Sequence, residues 1–204
     1  MTVMAISTAR NNGELIEECV KLGYLTDDMV TLDPTYGLGR FWTRWRPAAL
    51  EASDLDPDKS PIGRSIDFTN LPWSDNEFDA VVFDPPYKLN GTSTGTGGAS
   101  CDADYGVSQY QSWQDRMRLC IDGITECHRV LKPGGHLLVK CQDQVCSGHV
   151  RWQTIEFAGH AVELGSRLVD QLHLPSYRPQ PAGRRQIHAR RNYSTLLVLR
   201  KDVS

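Results

Sequence analysis

Apolar residues in this chain recur at two spacings, and the alternation between them predicts helices and strands in turn. Over residues 13–25, Leu15, Ile16, Cys19, Val20 and Leu22 fall near one side of a helix. MVTLDP is a short strand ending at Asp33, and residues 35–45 begin as a glycine turn and then suit a helix. Residues 49–58 give a brief strand and an acidic turn, and a weak third strand is predicted over residues 63–67. FDAVVFD carries the strongest strand signal, five apolar residues within seven. Over residues 113–131, Met117, Cys120, Ile121, Ile124, Cys127 and Leu131 form an amphipathic helical stripe, stopped by Lys132-Pro133-Gly134-Gly135. HLLVKCQD is the next strand, VRWQTIEFAGHAVELG a helix, and RLVDQLHLP and NYSTLLVLRK two closing strands able to pair antiparallel.

Two stretches break the pattern. Residues 88–112 contain GTSTGTGGASCDAD, which has no periodicity and reads as a long mobile loop on the substrate side. Residues 177–191 form a loop rich in proline and arginine. Strands alternating with helices of crossover length predict a doubly wound α/β sheet. A flavodoxin-like or other α/β domain fits the same periodicity.

The 204 residues suffice for one such domain spanning 1–204. Hydrophobic content of 40% and charged content of 23% suit a soluble globular chain. The net charge of −3 argues against non-specific coating of nucleic acid but allows a local basic patch. The sequence has no apolar run of about 18 residues, so no membrane association is expected and the cytoplasm is the expected location. Of the six cysteines, Cys120 and Cys127 sit on the apolar stripe of a helix, where a thiol behaves as a small hydrophobe. No CxxC pair exists, and no metal site is expected.

The chemistry gathers where strands end. FDAVVF runs straight into Asp84-Pro85-Pro86-Tyr87. Two prolines cannot continue a sheet, because each lacks a backbone donor and fixes its own φ. The strand therefore stops at Asp84, and a stiff turn presents a carboxylate, carbonyls and an aromatic ring. At the end of the first strand stands Asp33-Pro34-Thr35-Tyr36-Gly37-Leu38-Gly39, a glycine turn that lets backbone approach a ligand closely. Asp54, with Asp56 as its rival, follows the next strand, where a carboxylate can accept from ribose hydroxyls. Asp67 ends the third, where its side chain and the neighbouring backbone can meet the edge of an adenine ring.

With DPTYGLG, the acidic turn at 54–56, SIDFTNLPWSDNEFDAVVFDPPY and HRVLKPGGHLLVK, the chain resembles the S-adenosylmethionine-dependent amino-methyltransferases of DNA adenine N6 or cytosine N4. The resemblance covers residues 28–140. It implies a seven-stranded, mostly parallel, Rossmann-like sheet closed by an antiparallel hairpin, and S-adenosyl-L-methionine as cofactor. It implies that Asp33, Thr35, Gly37, Gly39, Asp54, Asp67 and Phe68 bind that cofactor. It implies that Asp84, Pro85, Pro86 and Tyr87 act on an exocyclic amine. Where the family loop often has Phe, this chain has Thr35. DNA is the implied partner, with RNA or protein as alternative substrates and an inactive nucleic-acid-binding subunit as the non-enzymatic alternative. With only the two loops to read a sequence, either strict specificity is absent or a second subunit, as in a homodimer, or a specificity partner supplies it; nothing in the sequence requires a dimer. A cytosine C5 mechanism would need a nucleophilic cysteine; no Pro-Cys occurs, and Cys141 lies in a buried-looking strand.

Arginine with interleaved aromatics suits nucleic acid. Arg40, Arg44 and Arg46 alternate with Phe41, Trp42 and Trp45, though these aromatics suit a helix core equally well. Lys88 beside the catalytic turn, and Arg184, Arg185, Arg190 and Arg191 in the second loop, are the stronger candidates.

Overall fold

A computed structural model describes residues 5–89, 112–176 and 186–203. The central sheet has the order β2-β1-β3-β4-β8-β7. Its strands are β1 Val30–Asp33, β2 Ala49–Ala52, β3 Phe78–Phe83, β4 Leu131–Cys141, β7 Ser166–Pro175 and β8 Tyr193–Lys201. β1 pairs with β2 and β3, and β3 with β4, all in parallel; β8 is antiparallel to both β4 and β7. This is the expected Rossmann-like, largely parallel sheet with a closing antiparallel hairpin.

Alternation along the strands builds two cores. Val81, Phe83, Leu137, Val139, Leu197 and Leu199 face one side. Ala80, Val82, Leu138, Leu196 and Val198 face the other. Successive side chains of a strand point to opposite faces, so a strand buried on both reads as a continuous apolar run. Helices α2 (Trp113–Val130) and α3 (Gln153–Glu163) cover the first face with Ile124, Cys127, Phe157 and Ala161. Helix α1 (Asn12–Lys21) covers the second with Leu15, Ile16 and Cys19. Asn11 starts α1 by accepting the Glu14 N–H at 3.0 Å, and Ser112 starts α2 by accepting that of Asp115 at 3.1 Å.

Two expectations change. The main sheet has six strands among the described residues, not seven. Residues 63–67, expected as the missing strand, make only one parallel bridge, Asp54 with Ser65. Gly63, Arg64 and Ser65 are exposed and only Ile66 is buried there, so little apolar surface holds that edge to the sheet. Second, the segment expected to open a helix at Val150 first forms an antiparallel hairpin, β5 (Gln144–Cys146) with β6 (His149–Arg151). Ser147 and Gly148 turn it, both with positive φ (52° and 77°). Most of the long Gly/Ser/Thr loop, and residues 177–185 of the second, lie outside the described residues.

Candidate active site

The order of strands reverses at β1, whose neighbours β2 and β3 depart to opposite sides. Ligands of open α/β sheets bind at the carboxyl ends of strands at such a point. A cleft of about 640 Å³ lies there, within the range of small-molecule sites. Its walls include Thr35, Gly37, Asp54, Phe68, Asp84 and Tyr87. Residues from the ends of β1, β2 and β3 thus meet in one space, as the sequence leads one to expect.

Asp33 stands behind the wall, not in it. It is 1% exposed. Its carboxylate accepts the Trp42 indole N–H at 2.7 Å and the Thr35 backbone N–H at 3.0 Å. Burial pushes this carboxyl up to about 7, against the pull of those bonds and with added repulsion from Asp84. Its place is to shape the glycine turn. Gly37 (φ 55°) and Gly39 (φ 63°) both adopt left-handed backbone. A side chain at Gly39 would strike the Tyr36 hydroxyl at 2.7 Å, whereas one at Gly37, on the cleft wall, would meet only the Thr35 carbonyl oxygen at an ordinary 3.9 Å.

Asp54 fastens that turn. Its two carboxylate oxygens accept the backbone N–H of Gly37 at 2.8 Å and of Asp56 at 2.9 Å. Each oxygen keeps a lone pair for a further donor. Asp56 instead pairs with Lys59 at 3.3 Å, so Asp54 is the carboxylate of this turn that lines the cleft. Asp67 is exposed and accepts from the Thr69 backbone and hydroxyl, both at 2.8 Å; it is not part of the wall, while its neighbour Phe68 is.

Thr35 joins the two halves of the site. Its hydroxyl accepts the backbone N–H of Asp84 at 2.9 Å. A phenylalanine at this position would have no oxygen with which to hold the Asp-Pro-Pro-Tyr turn. In that turn the Tyr87 N–H donates to the Pro85 carbonyl at 2.7 Å, which occupies one of that oxygen's two lone pairs. Pro86 and Tyr87 line the cleft, and the Pro85 side chain is buried. The Tyr87 carbonyl accepts from the side-chain amides of Gln144 and Gln153, each at 2.7 Å. The unforeseen hairpin therefore supports the Asp-Pro-Pro-Tyr turn.

Several residues of the site were missed in the sequence. Lys140 is 6% exposed, and its ammonium lies 3.3 Å from the Asp84 carboxylate and 3.0 Å from the Asn12 side-chain oxygen. The parallel register that pairs Phe83 with Val139 sets Asp84 and Lys140 side by side. A lysine inside the apolar run LLVKC was the available signal. On the hairpin side, the Arg151 guanidinium stacks 3.7 Å from the Trp113 ring and that of Arg191 4.4 Å from Trp152. Gln142 holds the carbonyls of Arg191 and Tyr193 at 3.1 and 3.0 Å.

The first arginine cluster is mainly structural. Phe41 and Trp42 are core, and Arg44 pairs with Glu14 and Glu17 at 3.1 and 2.9 Å. Arg40 reaches the cleft. Lys88, Arg190 and Arg191 are half-buried; Arg184 and Arg185 lie outside the described residues. Five cysteines are buried, and burial pushes the Cys141 thiol far up, which suits an inert side chain and not a nucleophile. No cluster of potential metal ligands occurs among the described residues.

A family model described as DNA methylase, of the N6/N4 type, matches residues 78–202, more than half the chain. The chain belongs to the N6/N4 DNA methylase family. Membership implies S-adenosylmethionine as cofactor, and the N6/N4 methylase site fits it: the cleft is large enough, Gly37 leaves its wall free of a side chain, and Asp54 offers an acceptor there. A search of curated proteins returns no match. Among solved structures, a candidate methyltransferase from Bacillus halodurans is 15% identical, with 92% of this chain and 99% of that one covered and a TM-score of 0.59. TrmN from Thermus thermophilus is 17% identical over 92% of this chain and 48% of its own, with a TM-score of 0.56. An S-adenosylmethionine-dependent methyltransferase from Methanosarcina mazei is 11% identical over 91% and 98%, with a TM-score of 0.53. At these identities the likeness is one of fold. The chain spans about half the length of TrmN and of other structures it matches.

Proposed function

We propose that the protein transfers a methyl group from S-adenosylmethionine to an exocyclic amino group of a nucleobase, adenine N6 in DNA. One observation carries this reading: Asp84 of the Asp-Pro-Pro-Tyr turn shares a single cleft with the Gly37 and Asp54 cradle, and Thr35 ties the two together. The cofactor supplies an electrophilic methyl group on a sulfonium. An exocyclic amine is a weak nucleophile because its lone pair delocalises into the ring. Asp84 and the free lone pair of the Pro85 carbonyl accept its two N–H bonds and offset the positive charge that develops on nitrogen. Groups fixed before reaction do this without reorganising. The Tyr87 ring stacks on the target base, which offsets the cost of drawing it out of a duplex.

In the same reading Thr35, Gly37, Asp54 and Phe68 form the cofactor half and Asp33 and Gly39 shape its turn, whereas Asp67, exposed and turned onto Thr69, stands outside the cleft wall. Lys88, Arg184, Arg185, Arg190 and Arg191 contact phosphate, with the cytoplasm as the setting. Among the described residues, no helix is long and apolar enough to cross a membrane.

The test is to incubate the protein with S-adenosylmethionine and unmethylated genomic DNA, with RNA in parallel and Asp84→Ala as control, and to identify the methylated nucleosides by mass spectrometry. N6-methyladenine from DNA, reduced about a hundred- to a thousandfold by Asp84→Ala while cofactor binding persists, is expected. N4-methylcytosine would keep the mechanism and change the base. Methylated RNA beside unmodified DNA would overturn the DNA reading.

A further inference from the structure

Lys140 has no part in the account above, yet it is a buried ammonium beside the catalytic carboxylate. It extends from β4 toward the first turn of α1, where Asn12 accepts one of its protons at 3.0 Å. A second faces Asp84 at 3.3 Å. The rings of Phe41 and Tyr87 flank it, with centroids 5.4 and 5.8 Å away. Burying a charge this deeply is costly unless it is paired, and Asp84 is the anion it meets.

We propose that Lys140 is a positioning residue for methyl transfer: anchored on Asn12, its ammonium keeps the Asp84 side chain ionised and turned along the cleft wall, ready to accept the N–H bonds of the target amine. This rests on the methyltransferase reading. The surroundings make such a counter-ion necessary. Burial raises the Asp84 carboxyl above its ordinary range, and Lys140 opposes that rise by its charge and its hydrogen bond. Among the described residues Lys140 is the cation paired with Asp84, while Arg40 and Lys59 line the same cleft. From β1 comes the buried Asp33, whose anion repels it; its own turn contributes Tyr87; and Cys141, beside Lys140 on β4, stays a neutral thiol. A protonated Asp84 would lose acceptor capacity in the place where the amine needs it.

The experiment follows the carboxyl carbon of Asp84 by NMR in protein labelled with carbon-13 aspartate, from about pH 5 to about pH 9, with Asp84→Asn to assign the signal. The wild type is expected to be ionised at neutral pH. In Lys140→Gln and Lys140→Met the titration moves upward by about one pH unit or more. The acidic limb of methyl transfer moves with it, so that these variants lose about tenfold at low pH and recover toward wild type as pH rises. Lys140→Arg returns the limb to its wild-type position. An Asp84 signal that titrates at the same pH with and without the lysine charge overturns the proposal. So does a wild-type Asp84 that is protonated at neutral pH, a result that requires no variant to fold. Should the titration move while neither wild type nor variant transfers methyl groups, the charge control of Asp84 by Lys140 stands and the methyltransferase reading falls.

Discussion

Thr35 shows how much one hydroxyl can organise. It sits after β1, yet the group it holds is the backbone N–H of Asp84 after β3. Thr35→Val keeps the shape and removes that acceptor. It should cost about 1–3 kcal/mol in urea unfolding, the usual penalty for orphaning a buried donor, and should lower the single-turnover rate more than cofactor affinity. Asp33 makes a prediction in pH. Its carboxyl rises from 3.8 unfolded to about 7 folded, so the folded state holds that proton more tightly. The stabilisation this gives is complete below 3.8 and is lost as pH rises through about 7. Asp33→Asn cannot titrate. Urea denaturation at a series of pH values should show the stability of wild type relative to this variant falling across that interval, whatever constant offset the amide introduces opposite the Trp42 N–H. Residues such as Asp33 and Asp84 were legible in the sequence because each stands where an apolar run meets proline. Lys140 carried a local signal, a lysine inside an apolar run, but its partners did not: Asp84 and Asn12 reach it only through the β3–β4 register and the docking of α1.

At the level of elements, strong periodicity translated well and weak periodicity did not. The stripe of Met117, Cys120, Ile124 and Cys127 became the buried face of α2, and FDAVVF became β3 with both faces covered. The β5–β6 hairpin was missed because each strand has three residues, and Trp152 with Ile155 continues a pattern that also suits a helix. Its role is tertiary: Gln144 and Gln153 clasp the Tyr87 carbonyl. α2 presses on the site from the other side. A methyl group at Gly123 would lie 2.5 Å from Phe83 and 2.7 Å from Phe68, the one preceding Asp84 and the other lining the cleft. Gly123→Ala should therefore destabilise the fold by about 1–3 kcal/mol in thermal or urea unfolding and should weaken cofactor binding by calorimetry as Phe68 shifts. Unchanged affinity beside a lowered stability would separate the core from the cleft.

For the whole molecule, charge is a matter of place more than of sum. A net −3 coexists with Arg151 on Trp113 and Arg191 on Trp152, around the hairpin that supports the Asp-Pro-Pro-Tyr turn. If the Arg190 and Arg191 segment meets phosphates, Arg190→Ala with Arg191→Ala should lower the salt dependence of DNA affinity by about two units of slope, measured by fluorescence anisotropy across a salt series. An unchanged slope would remove that segment from the interface. The sheet order has a different outcome, one that concerns synthesis. β8 follows the other described strands in sequence, but it lies inside the sheet between β4 and β7, with Leu196, Leu197, Val198 and Leu199 wholly buried. Until the ribosome has delivered it, β4 has an open edge and β7 has no partner strand, both beside unfilled apolar faces. A stalled or truncated nascent chain would therefore expose two adhesive edges at once, a hazard for aggregation that only the final nine residues of the sheet relieve.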